Sequence, residues 1–201
     1  MLKKALLAVD LQNDFYEDGA LGVPEASKIN SYVNELLTSG DYDLIVASQD
    51  WHPPEHKSFA VNHDQEPFTP YSNGKGIGPV LWPSHCVQES KGADFHPDIE
   101  TKYFDYILRK GTSPEVDSYS AFQENNGIDL GLAGLLKALG IEEVEICGLA
   151  LDVCVLYTAR DACHKGFKTT LIRKASKGVE AQEGDIENSL EEMKELGVEI
   201  K

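Results

Sequence analysis

The sequence predicts an α/β fold: one doubly wound parallel sheet of about six strands, with helices covering both faces. Two observations carry this. Short apolar runs alternate along the 201 residues with stretches of helical periodicity, the pattern a helix-covered parallel sheet requires. Several of those runs also stop at charged or polar residues, as buried strands do on reaching the carboxyl edge of their sheet.

The elements follow in order. Residues 5–9 are a strand ending at Asp10. Residues 24–37 show helical spacing through Ile29, Val33, Leu36 and Leu37, and Gly40 supplies a stop. Residues 44–47 are a second strand, giving way to Gln49 and Asp50. From 51 to 97 periodicity fades among Pro, Gly and His residues, and a segment of that length without regular structure points to function. Residues 106–108 form a third strand running out at Arg109 and Lys110. A helix through Leu130, Leu135, Leu136 and Leu139 ends at Gly140, and 143–148 is the fourth strand. A helix over 152–165, a strand over 169–172, a helix over 186–196 and an edge strand over 198–200 complete the order. With no internal repeat or linker composition, one domain over 1–201 suffices.

Composition narrows the function classes. A formal net charge of −16 argues against nucleic acid, because an acidic surface repels phosphates. It also offers an anionic membrane no basic patch, and no segment approaches the roughly 18 apolar residues of a span. The apolar run at 5–9 is too short for a signal-peptide core. Cys86, Cys147, Cys154 and Cys163 are irregularly spaced and suggest no disulfide framework, so a reducing cytoplasm is expected.

In such sheets ligands bind beyond the carboxyl ends of the strands. Cys154 falls there, in the first turn of a helix, where free N–H groups and the helix dipole should acidify a thiol below about 8.5. The same N–H groups could hold an oxyanion. Cys147 lies inside a strand and Cys163 deep in a helix, while Cys86 sits in the irregular region. Asp10 and Lys110 stand at other strand ends, so the fold brings an acid, a base and a thiol to one edge. Asp50 and His52 are two apart in an extended segment and share a side. With His85 they make a two-histidine, one-carboxylate set suited to zinc, iron or manganese. On spacing alone His56 and His63 stay open as ligands; His96 and His164 read as surface or packing residues.

Six ordered segments, AVDLQNDF (8–15), ASQDWHPPEHKSF (47–59), WPSHCVQ (82–88), GADFHP (92–97), RKGTSPEVDSYSAF (109–122) and GLALDVCVLYTARDA (148–162), carry a resemblance. The chain resembles the nicotinamidase/pyrazinamidase branch of the isochorismatase-like cysteine hydrolases along almost its whole length. The resemblance implies a triad of Asp10, Lys110 and Cys154, with metal ligands Asp50, His52 and His85 for one divalent transition-metal ion, zinc first and iron or manganese as alternatives. It implies an oxyanion hole on the N–H groups of Ala150 and Cys154, with a cis peptide at Leu149–Ala150. Phe15, Trp82 and Tyr119 would wall a pyridine ring, with Leu21 and Val153 nearby. The implied activity is hydrolysis of nicotinamide to nicotinate and ammonia in NAD salvage, with pyrazinamide also accepted. Homo-oligomerisation is left open. An isochorismatase or carbamoyl amidohydrolase of the same fold is the alternative, and a non-catalytic binding protein a second. The metal set counts against isochorismatases, and the intact triad against a binding protein.

Overall fold

The computed structural model describes residues 3–201. Its first strand, β1 (Lys3–Val9), shows how the sequence divides its apolar residues. Successive side chains of a strand point to opposite faces. Ala5, Leu7 and Val9 therefore enter one core, while Leu6 and Ala8 enter the other. Burial on both sides is why the run is continuously apolar rather than alternating.

The chain continues through α1 (Asn30–Thr38), β2 (Leu44–Asp50), β3 (Tyr106–Lys110), α2 (Leu132–Ala138) and β4 (Ile141–Leu149). A π-helical turn (Leu151–Val155) leads into α3 (Leu156–His164), followed by β5 (Lys168–Lys177), α4 (Asp185–Glu195) and β6 (Glu199–Ile200). The strands form one six-stranded sheet in the order β3-β2-β1-β4-β5-β6. Every pairing is parallel. Leu132 and Leu136 of α2, Leu156 and Ala159 of α3 and Met193 of α4 pack on one face. Val33 and Leu37 of α1 cover the other, with Cys86, Ala93 and Ile99 from the irregular segment. The expected fold class and strand number hold.

Several boundaries differ from expectation: β2 and β3 run on through Asp50 and Lys110, β4 is longer at both ends, and α3 starts at Leu156. Three further differences have a local reason. The first helix begins late: Glu25 takes a left-handed conformation (φ 58°), and residues Ala26–Ile29 make a 3₁₀ turn before α1 starts. Leu130 lies outside α2, because its N–H pairs with Phe122 O and Gly131 turns left-handed ahead of the helix. β5 runs on to Lys177, held by pairing of Ser176 and Lys177 with Gly148 and Leu149. The irregular segment from 51 to 97 holds one 3₁₀ turn, Ala60–His63, and otherwise only isolated bridges.

The chain builds β2 and β3 to one side of β1, then crosses over to lay down β4 on the other. That reversal opens a crevice at the carboxyl ends of β1 and β4, where open α/β sheets place their ligands. Asp10, Asp50, Lys110 and Cys154 all emerge at this edge.

Candidate active site

Lys110 ends β3 with its side chain wholly buried, so its ammonium needs partners that replace water. Nζ lies 2.9 Å from Asp10 Oδ2 and 2.5 Å from Asp50 Oδ1. It also donates to Ser118 O at 2.8 Å and lies 3.6 Å from Cys154 Sγ. One cation thus joins Asp10 and Cys154 to Asp50. Burial alone would lower the Lys110 pKa, but the Asp10 and Asp50 carboxylates outweigh it and hold it well above the ordinary value.

Asp10 follows β1 in a left-handed backbone conformation (φ 48°), unusual for a non-glycine residue. Its Oδ1 accepts a hydrogen bond from Ser48 Oγ at 2.7 Å, and Ser48 Oγ accepts from the Asp10 N–H at 3.3 Å. Burial, with the nearby Asp50 charge, raises the Asp10 carboxyl against the opposing pull of Lys110. Donor atoms of Asp10, Asp50 and Cys154 lie within 4.8 Å of one another.

Cys154 departs from expectation. It sits in the π-helical turn ahead of α3, not in the first turn of the α-helix. Its thiol is pushed up, not down: burial comes first, and Asp10 and Asp50 add to it against Lys110. Dipole and cation are outweighed because the sulfur is cut off from water beside two carboxylates. The resting thiol keeps its proton, so a base must take it when substrate is present. The Leu149–Ala150 peptide is cis. The Ala150 carbonyl accepts from the N–H groups of Val153 and Val155, folding the turn back on itself.

Asp50, His52 and His85 converge, with donor atoms within 4.8 Å of one another. His52 Nδ1 lies 2.8 Å from Gly111 O, and His85 Nδ1 lies 2.8 Å from Pro83 O. Each ring therefore carries its hydrogen on Nδ1 and presents the lone pair of Nε2. His52 Nε2 is buried without a hydrogen-bond partner and stands 3.6 Å from Asp50 Oδ2. Burial lowers the pKa of His85, which favours the neutral ring a cation needs. An orphaned nitrogen facing a free carboxylate oxygen fits a divalent ion, and this buried cluster could hold one.

His56 does not join this set. Its Nε2 donates to Val116 O at 3.1 Å, and its Nδ1 accepts from the Ser58 N–H at 3.3 Å, so neither ring nitrogen is free. Burial and His52 lower its pKa to about 4. His63 turns away, with Nε2 at 2.8 Å from Lys57 O.

A cavity of about 770 Å³ opens over these residues. Asp50, His85, Ala150 and Cys154 line it, and so do Phe15, Leu21, Trp82, Tyr119 and Val153. Trp82 Nε1 donates to Tyr119 OH at 3.2 Å, and Tyr119 OH donates to Gly78 O at 3.0 Å. This chain of bonds fixes both rings against the cavity. Sequence reasoning missed Phe68, Val80 and Asp117, which also line it. Asp117 is buried beside His52 and His56, with Oδ2 unpaired. It lies in RKGTSPEVDSYSAF, so that motif held the signal; Phe68 and Val80 come from irregular chain that offered none.

The isochorismatase domain matches residues 4–200. The nicotinamidase of Escherichia coli K12 is 40% identical, over 100% of this chain and 95% of its own. That of Acinetobacter baylyi is 43% identical, over 97% and 90%. Among solved structures, a nicotinamidase/pyrazinamidase of Acinetobacter baumannii superposes with TM-score 0.93 at 41% identity, covering 100% of this chain and 96% of that one. An L. infantum protein in complex with nicotinate gives 0.87 at 35%, covering 100% and 92%. The Pyrococcus horikoshii pyrazinamidase in complex with zinc gives 0.80 at 39%, covering 99% and 98%. With the domain matched over residues 4–200 and these relatives alike in fold and over its whole length, this chain belongs to the isochorismatase-domain family, in the group that holds the nicotinamidases and pyrazinamidases.

Proposed function

We propose that this protein is a nicotinamidase, hydrolysing nicotinamide to nicotinate and ammonia, with Asp10, Lys110 and Cys154 as its catalytic residues. The observation that carries the reading is the buried Lys110 ammonium, shared between Asp10 and the Cys154 sulfur at the floor of an aromatic cavity. Full-length likeness to nicotinamidases supports the substrate, and the relative in complex with nicotinate supports the product.

The chemistry follows from the groups in reach. Cys154 Sγ attacks the carboxamide carbon while its proton passes to Asp10. The charge that gathers on the carboxamide oxygen meets the N–H groups of Ala150 and Cys154. Collapse of the adduct breaks the C–N bond, and Asp10 returns the proton to nitrogen so that ammonia leaves. Water then adds to the thioester, giving a proton to Asp10. The C–S bond breaks, Asp10 returns its proton to the sulfur, and nicotinic acid departs, giving its carboxyl proton to water to become nicotinate. Lys110 stays charged throughout and favours the thiolate as it forms.

Asp50, His52 and His85 would hold one divalent ion, zinc first, which supplies a Lewis-acid anchor for the pyridine nitrogen. The zinc in the Pyrococcus horikoshii relative supports this reading. Phe15, Trp82 and Tyr119 wall the ring, with Leu21 and Val153 beside it. The four cysteines are unpaired in the fold, which suits a reducing, cytoplasmic setting. No described helix is long and apolar enough to cross a membrane.

The test is ammonia release from nicotinamide, pyrazinamide and a panel of small aliphatic and carbamoyl amides. The pyridine and pyrazine amides should lead by a wide margin. Preference for a carbamoyl substrate, or no amide turnover, would refute the assignment.

A further inference from the structure

We propose that Gln12 and Asp14 are positioning residues that set the metal affinity of the site formed by Asp50, His52 and His85. This rests on the metal reading above, and extends it to two side chains that touch neither the ion's donor atoms nor the cavity.

Gln12 is fully buried just beyond β1. Its Oε1 accepts from the Asp50 N–H at 2.7 Å, and its Nε2 donates to Asp50 O at 2.8 Å. The side-chain amide thus bonds both polar groups of one residue, as a neighbouring strand would, at the point where β2 ends. A third bond, Nε2 to Ala93 O at 2.9 Å, braces it against the irregular segment. The Asp50 peptide cannot rotate without breaking this clamp.

Asp14 acts on the two histidines through Cys86. Its Oδ2 accepts from the Cys86 N–H at 2.7 Å, and the Cys86 carbonyl accepts from the His52 N–H at 3.0 Å. Cys86 directly follows His85 and holds a left-handed conformation (φ 46°). One carboxylate therefore anchors a residue whose N–H side joins His85 and whose carbonyl bonds His52. The Asp14 carboxyl is itself walled in: a Cβ on Gly92 would fall 2.1 Å from Oδ2, so only glycine fits there. Asn13 and Asp14 N–H groups bond Asp94 O and Gly92 O, locking the segment that carries both residues.

Residues 10, 12 and 14 thus divide the work of one strand end, the first supplying the proton acceptor and the other two holding the ligands. Loss of such outer support typically weakens metal binding about 10- to 100-fold. The experiment is zinc titration by calorimetry into chelator-stripped protein, for wild type, Gln12→Met, Asp14→Ala and Gln49→Met. Gln49 is the control, since its Nε2 bonds the same Ala93 carbonyl at 2.9 Å but holds no ligand. Gln12→Met and Asp14→Ala should bind zinc about 10- to 100-fold more weakly, with Gln49→Met near wild type. Wild-type affinity in both variants, or an equal loss in Gln49→Met, would overturn the proposal. Wild type that takes up no zinc would overturn the metal reading beneath it. Apo melting curves show whether each variant folds, and Asp14→Ala decides the matter if Gln12→Met does not.

Discussion

Lys110 Nζ closes on Asp50 Oδ1 at 2.5 Å, and through this contact the proposed triad and the Asp-His-His cluster share one charge. Asp50 has two tasks: Oδ1 meets the ammonium, while Oδ2 faces His52. Its carboxyl is held well below the usual range, because the Lys110 ammonium outweighs a burial that would raise it. The two halves of the site are therefore electrostatically coupled, and a change in either is felt by the other.

Removing that cation should show the coupling directly. Lys110→Met leaves Asp10 and Asp50 buried without their counter-ion, which typically costs about 3–5 kcal/mol. The stranded carboxylates would escape by taking up protons, so their folded pKa values would lie above the unfolded ones. The penalty is then largest at neutral pH and shrinks as pH falls toward the unfolded carboxylate range near 4. Denaturant melts of variant and wild type at pH 5 and pH 8 check this. A pH-independent difference would mean the carboxylates never depended on Lys110.

Cys154→Ala should abolish amidase activity, by roughly 10⁴-fold or more, while the fold persists. Cys86→Ala and Cys163→Ala should keep most of it. Because the resting thiol is protonated and buried, iodoacetamide should label it slowly, yet loss of activity should follow its labelling. Peptide mapping that ties inactivation to another cysteine would remove Cys154 from its role.

The strand-end residues were legible because a parallel strand buried on both faces must stop where charge begins. Asp10 after β1, Asp50 at the end of β2 and Lys110 at the end of β3 are that rule read three times. The metal set was half legible: Asp50 and His52 share a side in extended chain, but His85 arrives from irregular chain without periodicity. His56 could be settled only by its hydrogen bonds, which spacing does not reveal. The thiol's state was misread because a helix start was judged by its dipole alone. Burial in the folded core reverses the outcome, and Asp10 and Asp50, distant in sequence, add their charge beside the sulfur. The Gln12 clamp and the Asp117 carboxylate depend in the same way on contacts between separate segments.

Glu145 provides a pH test away from the site. It lies within β4, largely buried, and accepts from Tyr42 OH at 2.6 Å, with Lys4 and Lys201 each at 3.3 Å. Burial would raise its carboxyl, but the Tyr42 hydrogen bond and the two lysines bring it below the ordinary value. A depressed folded pKa stabilises the protein above the unfolded value near 4.3, and that stability drains as pH falls through the folded one. Glu145→Gln should therefore melt below wild type at pH 7, and the gap should narrow as pH falls below the unfolded value near 4.3. A gap that is constant or widens in acid would show that the charge contributes nothing.

The last prediction concerns Gly111, directly after Lys110. Its carbonyl receives the His52 Nδ1–H, and its own φ of 62° lies in the left-handed region. A Cβ there would fall 2.3 Å from His52 Cε1 and 2.6 Å from Nδ1, inside any tolerable contact. Gly111→Ala must therefore push the imidazole aside, besides costing about 1–2 kcal/mol for the conformation itself. Displacing the ring moves Nε2 from its place opposite Asp50. Metal content should fall and KM for nicotinamide should rise, much as in His52→Ala. The double variant separates this cause from general loosening. If the harm passes through the His52 ring, adding Gly111→Ala to His52→Ala should lower metal affinity little further, a non-additivity expected only of coupled residues. Additive losses would locate the damage elsewhere, and full metal content with an unchanged KM in Gly111→Ala would show that the ring has room the geometry denies it.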